Sequence, residues 1–197
     1  MTAVGDLAAY LAAQGFGATE MHVMEALGGP RERTRATMAA EMDLTDVRHP
    51  VCVGMTVQGD GEVVPSASGR PDALFEHDGQ ITKRPVRALT LSALAPRPGA
   101  RLWDIGAGSG SIAIEWLLSH PATEATAIEA RPDRAARIRA NADRLGVDRL
   151  SVVEGTAPEA LCGLPTPDAV FIGGGLSDAV LAAAWDCLPA GGDRKSV

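Results

Sequence analysis

At 197 residues the chain has room for one domain, or one domain and a fragment. Apolar residues make up 46% and charged residues 22%, an ordinary globular balance, and no apolar run approaches the length of a membrane span. The net charge of −7 argues against general nucleic-acid binding. Cys52, Cys162 and Cys187 lie far apart with no C-x-x-C pair, and His22, His49, His77 and His120 show no ligand spacing, so neither a disulfide framework nor a metal site is expected. With no basic-then-apolar leader and sparse cysteines, the expected compartment is the cytoplasm.

Residues 6–14 predict a helix with Leu7, Tyr10 and Leu11 on one face and Gly15 as its stop. Residues 21–27 read as a strand broken by Gly28-Gly29-Pro30, after which residues 31–35 start a short helix; residues 51–57 are a second strand. Two strands give little for an independent core, so residues 1–60 are expected to be the tail of something larger. Residues 61–79, within a stretch rich in Gly, Pro, Ser and Asp, read as a linker or exposed loop.

A second unit is expected over 80–197. Thr82 can cap a helix through Ala95, with Pro85 tolerated in its first turn and Val86, Leu89, Ala93 and Leu94 as its apolar face. Lys83, Arg84, Arg87, Arg97 and Arg101 fall between Asp78 and Asp104 with no acid among them, either as a solvated face or as a site for an anionic substrate. A regular alternation follows. Strands are predicted at 101–105, 125–129, 150–154 and 168–172, and helices at 109–119, from Pro132 to Gly146, and from Ser177 to about residue 188, with a helical turn near 158–161. Such alternation predicts an α/β fold, a parallel sheet with helices on both faces. Gly191-Gly192 would introduce another strand, but residues 193–197 follow instead, so the sheet is expected to be truncated and its fourth strand to keep an open edge.

The most informative stretch is 102–115, where an apolar run ends at Asp104, Gly106, Gly108 and Gly110 recur at every second position, and an amphipathic stretch begins. Glycine there lets the backbone take positive φ and lets a ligand lie against the main chain, while the helix N-terminus offers N–H groups to an anion. Ser111 stands where the dinucleotide fingerprint G-x-G-x-x-G needs its third glycine. Ligands of open parallel sheets bind at the carboxyl ends of the strands. The first end supplies Asp104, Gly106, Ala107, Gly108, Gly110 and Ser111. The second supplies Glu129, whose two oxygens can accept both hydroxyls of a ribose or simply face solvent. The third supplies Gly155, Thr156 and Ala157, small enough to edge an adenine, and the fourth Gly173, Gly174 and Gly175.

The D-x-G-x-G-x-G spacing resembles the S-adenosylmethionine-binding turn of class I methyltransferases. More narrowly, residues 80–192 resemble the decarboxylating precorrin methyltransferases of the cobalamin pathway, through Thr82-Lys83 with Val86-Arg87, residues 102–111, residues 153–161 and Phe171-Ile172-Gly173-Gly174-Gly175. Residues 5–57 resemble the carboxyl-terminal end of the C-5 precorrin methylases, through Gly15-Phe16-Gly17 and residues 25–33. Two-domain members of the family carry both units fused in this order.

The resemblance implies a class I, Rossmann-like methyltransferase sheet preceded by a fragment of a tetrapyrrole methylase α/β subdomain. It implies S-adenosyl-L-methionine as cofactor and a carboxylate-rich tetrapyrrole, a precorrin, as substrate. Methylation would occur at C-15 with loss of CO₂ from the C-12 acetate. Thr82 and Lys83 would sit over the donor pocket, and Lys83, Arg84, Arg87, Gly174 and Gly175 would face the substrate. No metal, nucleic-acid or membrane partner is implied. In the family the last strands also make oligomer contacts, so a homo-oligomer is open. The front half of the C-5 methylase is not in the sequence, so that activity is expected to be absent. Three alternatives stay open: a class I methyltransferase for another small molecule or a protein, a non-catalytic donor-binding fragment, and an NAD-dependent dehydrogenase, the last disfavoured by Ser111.

Overall fold

In a computed structural model, which describes residues 3–188, the chain divides into two units between Val64 and Pro65. The closing stretch from Gly191-Gly192 to Val197 lies outside the described residues.

The first unit comprises helix α1 (Ala3–Ala13) and strands β1 (Glu20–Glu25), β2 (Arg33–Met38) and β3 (Val51–Thr56). The strands pair antiparallel in the order β2-β1-β3. Met21 and Val23 of β1 are fully buried and pack with Val4, Ala8 and Leu11 of α1. The short helix expected over 31–35 is instead the start of β2, which makes a third strand. Register places Arg33 opposite Glu25 and Arg35 two positions on. Arg33 Nε and Nη2 and Arg35 Nη2 all donate to the Glu25 carboxylate at 2.9 Å. That cross-strand pairing overrides the local helix signal. Arg33 and the Arg48 backbone N–H hold the buried Glu25 carboxyl down at about 2.

In the second unit, β4 (Arg101–Ile105), β5 (Glu124–Glu129), β6 (Ser151–Glu154) and β7 (Ala169–Ile172) are parallel, in the order β6-β5-β4-β7. Helices α2 (Arg84–Leu94), α3 (Ser111–Ser119), α4 (Pro132–Arg144) and α5 (Asp178–Cys187) alternate with them. Both faces are covered. Leu102 packs with Leu91, Ile112, Trp116 and Ile138 on one side, and Trp103 and Ile105 pack with Val180 and Ala184 on the other. This double burial explains why the strands read as continuous apolar runs.

Two expectations fail here for one reason. The stretch 61–79 is not an exposed linker throughout, because Gly69 and Arg70 are buried and Leu74 and Phe75 join the core of the second unit. Lys83, not Thr82, occupies the N-cap position of helix α2, with no side-chain cap, and the helix buries Arg87, Thr90, Leu91 and Leu94 while Val86 and Leu89 stay exposed. The cause is a buried charge cluster. Glu115 of α3 accepts Gly69 N–H at 2.7 Å, Arg70 N–H at 2.9 Å and Arg87 Nε at 2.6 Å. Arg87 Nη2 donates to Arg70 O at 2.6 Å and Asp72 Oδ1 at 2.9 Å, and its guanidinium lies 4.8 Å from the Phe75 ring centroid. These bonds turn Arg87 inward and draw residues 69–75 onto the helices.

Candidate functional site

The carboxyl ends of all four parallel strands border a cleft of about 500 Å³, a volume suited to a small molecule. After β4 the chain turns through Gly106, at φ +70°, into α3. A Cβ at Gly106 would lie 2.6 Å from Gly174 O and 2.7 Å from Gly174 N, so the first and fourth strand ends touch backbone to backbone. Gly106→Ala meets both the positive-φ penalty and this contact. It is expected to destabilise the second unit by about 2–4 kcal/mol in urea melts; an unchanged midpoint would mean that the turn has room to shift.

Glu129 ends β5 and is buried. Its Oε2 accepts Gly108 N–H at 2.8 Å and its Oε1 accepts Arg131 N–H at 3.0 Å. Each oxygen keeps acceptor capacity beyond these bonds. Asp104, one residue before the end of β4, is 1% exposed. Its Oδ2 accepts Ala113 N–H at 3.1 Å, and its Oδ1 has no hydrogen-bond partner among the described residues. Burial pushes the Asp104 carboxyl up to about 7; the Ala113 N–H opposes this and the charge of Glu129 adds to it.

Most of the expected site residues come together. Thr82, Gly106, Ala107, Gly108, Glu129, Gly155, Thr156, Ala157 and Gly173 line the cleft, as do Gly174 and Gly175. Asp104, Gly110 and Ser111 do not line it: Asp104 is buried in β4, and Gly110 and Ser111 are buried at the N-terminus of α3. Gly110, at φ +75°, is there for packing, since a Cβ would lie 2.8 Å from Ile138 Cγ2.

The basic run does not form one anion site. Arg87 is fully buried and spent on Glu115 and Asp72, which removes it as a substrate contact. Arg84 donates to Gly69 O at 2.6 Å, and Arg101 pairs with Glu124 at the amino ends of the strands. Lys83 is exposed and outside the cleft lining. The cations that do line the cleft are Arg131 and Arg134, which sequence reasoning missed along with Gln80, Ile81, Ser109 and Phe171. The available signal was position: Arg131 follows the strand-end acid by two residues and caps α4, which points its first turn at the same strand end.

The sequence profile of a family described as the precorrin methyltransferase domain matches residues 73–194. The chain belongs to this family. The match begins inside the stretch expected to be a linker, in keeping with the burial of Leu74 and Phe75. The chain is 58% identical over 191 residues to precorrin-6Y C(5,15)-methyltransferase (decarboxylating) of a Sinorhizobium species, covering 95% of this chain and 46% of that protein. It is 44% identical to the protein of the same name from Mycobacterium tuberculosis, covering 95% of this chain and 47% of that one. It therefore spans about half the length of the curated relatives it matches. Among solved structures, the C-terminal domain of precorrin-6Y C5,15-methyltransferase from Rhodobacter capsulatus aligns with a TM-score of 0.63 at 51% identity, over 67% of this chain and 71% of that chain. The second unit has the class I, Rossmann-like methyltransferase fold.

Proposed function

We propose that the second unit binds S-adenosyl-L-methionine in this cleft and methylates a precorrin at C-15 with loss of CO₂ from the C-12 acetate, in cobalamin biosynthesis. The observation that carries the reading is Glu129. Its carboxylate is fixed by the Gly108 and Arg131 N–H groups at a strand end beside a glycine turn, as a pair of ribose hydroxyls requires. The names of the relatives support the reaction. The fit of the residues to the donor is supported by Gly106, Gly108 and Gly173, which border the cleft and bring no side chain into it.

When bound, the donor supplies an electrophilic methyl group on a sulfonium. Glu129 holds the ribose, Gly155, Thr156 and Ala157 edge the adenine, and Gly173, Gly174 and Gly175 leave the transfer path open. The main task of the protein is to position, which can supply about 7–11 kcal/mol. An electron-rich ring carbon needs no catalytic base to accept methyl, and the macrocycle can take up the electron pair left when CO₂ departs. Lys83 and Arg84 remain candidates for the substrate carboxylates. The first unit is read as part of a tetrapyrrole C-5 methylase domain, on the resemblance of residues 25–33. A cytoplasmic location belongs to the same proposal; among the described residues no helix is long and apolar enough to cross a membrane.

Titration with S-adenosylhomocysteine by calorimetry tests the reading. One-site binding is expected, weakened about 10- to 100-fold in Glu129→Ala through loss of charge-assisted hydrogen bonds. A folded wild-type chain that binds nothing would sink it.

A further inference from the structure

One wall of the cleft is formed by Gln80, Ile81 and Thr82, which belong to no helix or strand. The structure shows how that wall is held. Just before it, Asp78 Oδ2 meets Arg134 Nε at 2.9 Å and Arg137 Nη1 at 3.3 Å. Asp78 Oδ1 accepts Gln80 N–H at 3.2 Å, so the same carboxylate grips α4 with one oxygen and the wall with the other. Farther back, the buried Asn141 of α4 brackets Glu76, accepting its N–H at 2.8 Å and donating to its carbonyl at 3.0 Å. The same amide donates to Ser109 O at 3.0 Å, in the glycine turn on the other side of the cleft. At the far end, Arg87 Nη1 donates to Thr82 O.

Helix α4 thus carries both the glycine turn and the wall that faces the cleft with it. Of the ties, Asn141 and Arg87 are buried and belong to the packed core, whereas the Asp78–Arg134 pair lies at the surface, with side chains 25% and 20% exposed, next to the cleft lining. Arg134 both pairs with Asp78 and lines the cleft. The Arg134 guanidinium, with the Gln80 N–H, keeps the Asp78 carboxyl well below the usual carboxylate range, so the tie is charged throughout the physiological pH range.

We propose that Asp78 is a positioning residue for donor binding: through Arg134 and Arg137 it fixes the wall formed by Gln80, Ile81 and Thr82 against the donor. It acts through the wall and touches no donor atom. The inference rests on the donor-binding reading above. An ion pair of this exposure adds little to global stability, but it removes freedom from a segment that otherwise has to be ordered when the ligand binds.

The test compares Asp78→Asn and Asp78→Glu with the wild type in S-adenosylhomocysteine titrations at about 50 mM and about 500 mM salt, with a thermal melt of each protein. Asp78→Asn is expected to bind about 5- to 20-fold more weakly at low salt, with a wild-type melting temperature. Asp78→Glu is expected to recover most of the affinity. Wild-type affinity is expected to fall with salt while that of Asp78→Asn stays flat. Equal affinity of Asp78→Asn and wild type at both salts would overturn the proposal. So would a fall in melting temperature that matches the affinity loss, which would assign the pair to fold stability alone. Absence of binding by the folded wild type would overturn the donor reading itself, and is distinguished because it does not depend on residue 78.

Discussion

Glu115→Ala is expected to destabilise the second unit by about 3–5 kcal/mol, the range for removing one partner of a buried ion pair. Glu115, Arg87 and Arg70 have 0%, 0% and 2% of their side-chain surface exposed. Removing the carboxylate leaves two guanidinium groups in the interior opposite a single remaining acid, Asp72, and orphans the Gly69 and Arg70 N–H groups. Each uncompensated group adds a desolvation cost that water reaches poorly. Residues 69–75 should detach with it, exposing Leu74 and Phe75. Urea unfolding followed by tryptophan fluorescence reads the effect, since Trp103 and Trp116 are both buried. Glu115→Gln keeps the volume and one acceptor and should fall between alanine and wild type. A loss below about 1 kcal/mol in Glu115→Ala would mean that the arginines find water or another acceptor, and that the cluster is not what holds the segment.

Asp104→Asn should change how stability depends on pH. In the folded chain the Asp104 carboxyl titrates at about 7; its ordinary value is 3.8. Between those values the unfolded chain has released the proton and the folded chain has not. Stability from the neutral acid is therefore fully present below about pH 4, is lost as pH rises toward about 7, and changes no further above it. Asparagine is neutral at every pH and can still accept from Ala113. The variant is expected to show a flatter profile from pH 5 to 8 and to exceed the wild type at pH 8 by a few kcal/mol in urea midpoints. Glu25 and Asp46 do not confuse the comparison. Their carboxyls are lowered to about 2, so the stability they contribute is lost only as pH falls toward that value. Parallel pH profiles for variant and wild type would show that water reaches Asp104 and that burial does not raise its pKa.

What could be read from the sequence was what local pattern determines. The parallel strands announced themselves as apolar runs ending in an acid or a glycine, and each observed strand lies within a residue of its expected position. Glu129 was legible for the same reason, because a strand end in a parallel sheet has a known destination. What escaped was set by partners far along the chain. The helix expected over 31–35 gave way to a strand from Arg33, where Arg33 and Arg35 pair with Glu25 and Asp46. Residues 61–79 looked like a linker by composition, yet Glu115, more than forty positions on, takes the Gly69 and Arg70 N–H groups. A lone glutamate amid Ile112, Ala113, Ile114, Trp116 and Leu117 was the available hint of a buried pair. Arg87 looked available to a substrate because a sequence does not show which way a guanidinium turns. Gln80 and Arg134 were missed because a wall assembled from a loop and a helix has no motif.

Asn141 bears on how this fold can drift in sequence. Three of the groups it bonds are main-chain atoms, the N–H and carbonyl of Glu76 and the carbonyl of Ser109. Main-chain groups are present whatever side chain a position carries, so the joint does not depend on the side-chain chemistry at 76 or 109, although the buried Ser109 leaves room only for a small residue. Residue 141 has no such latitude. Aspartate lacks the donor, glutamine is one methylene too long for a site with no exposed surface, and leucine would strand all three groups. One amide in α4 thus joins two loops through their main chains, and the constraint of that joint is carried by residue 141 and not by the side chains at 76 and 109.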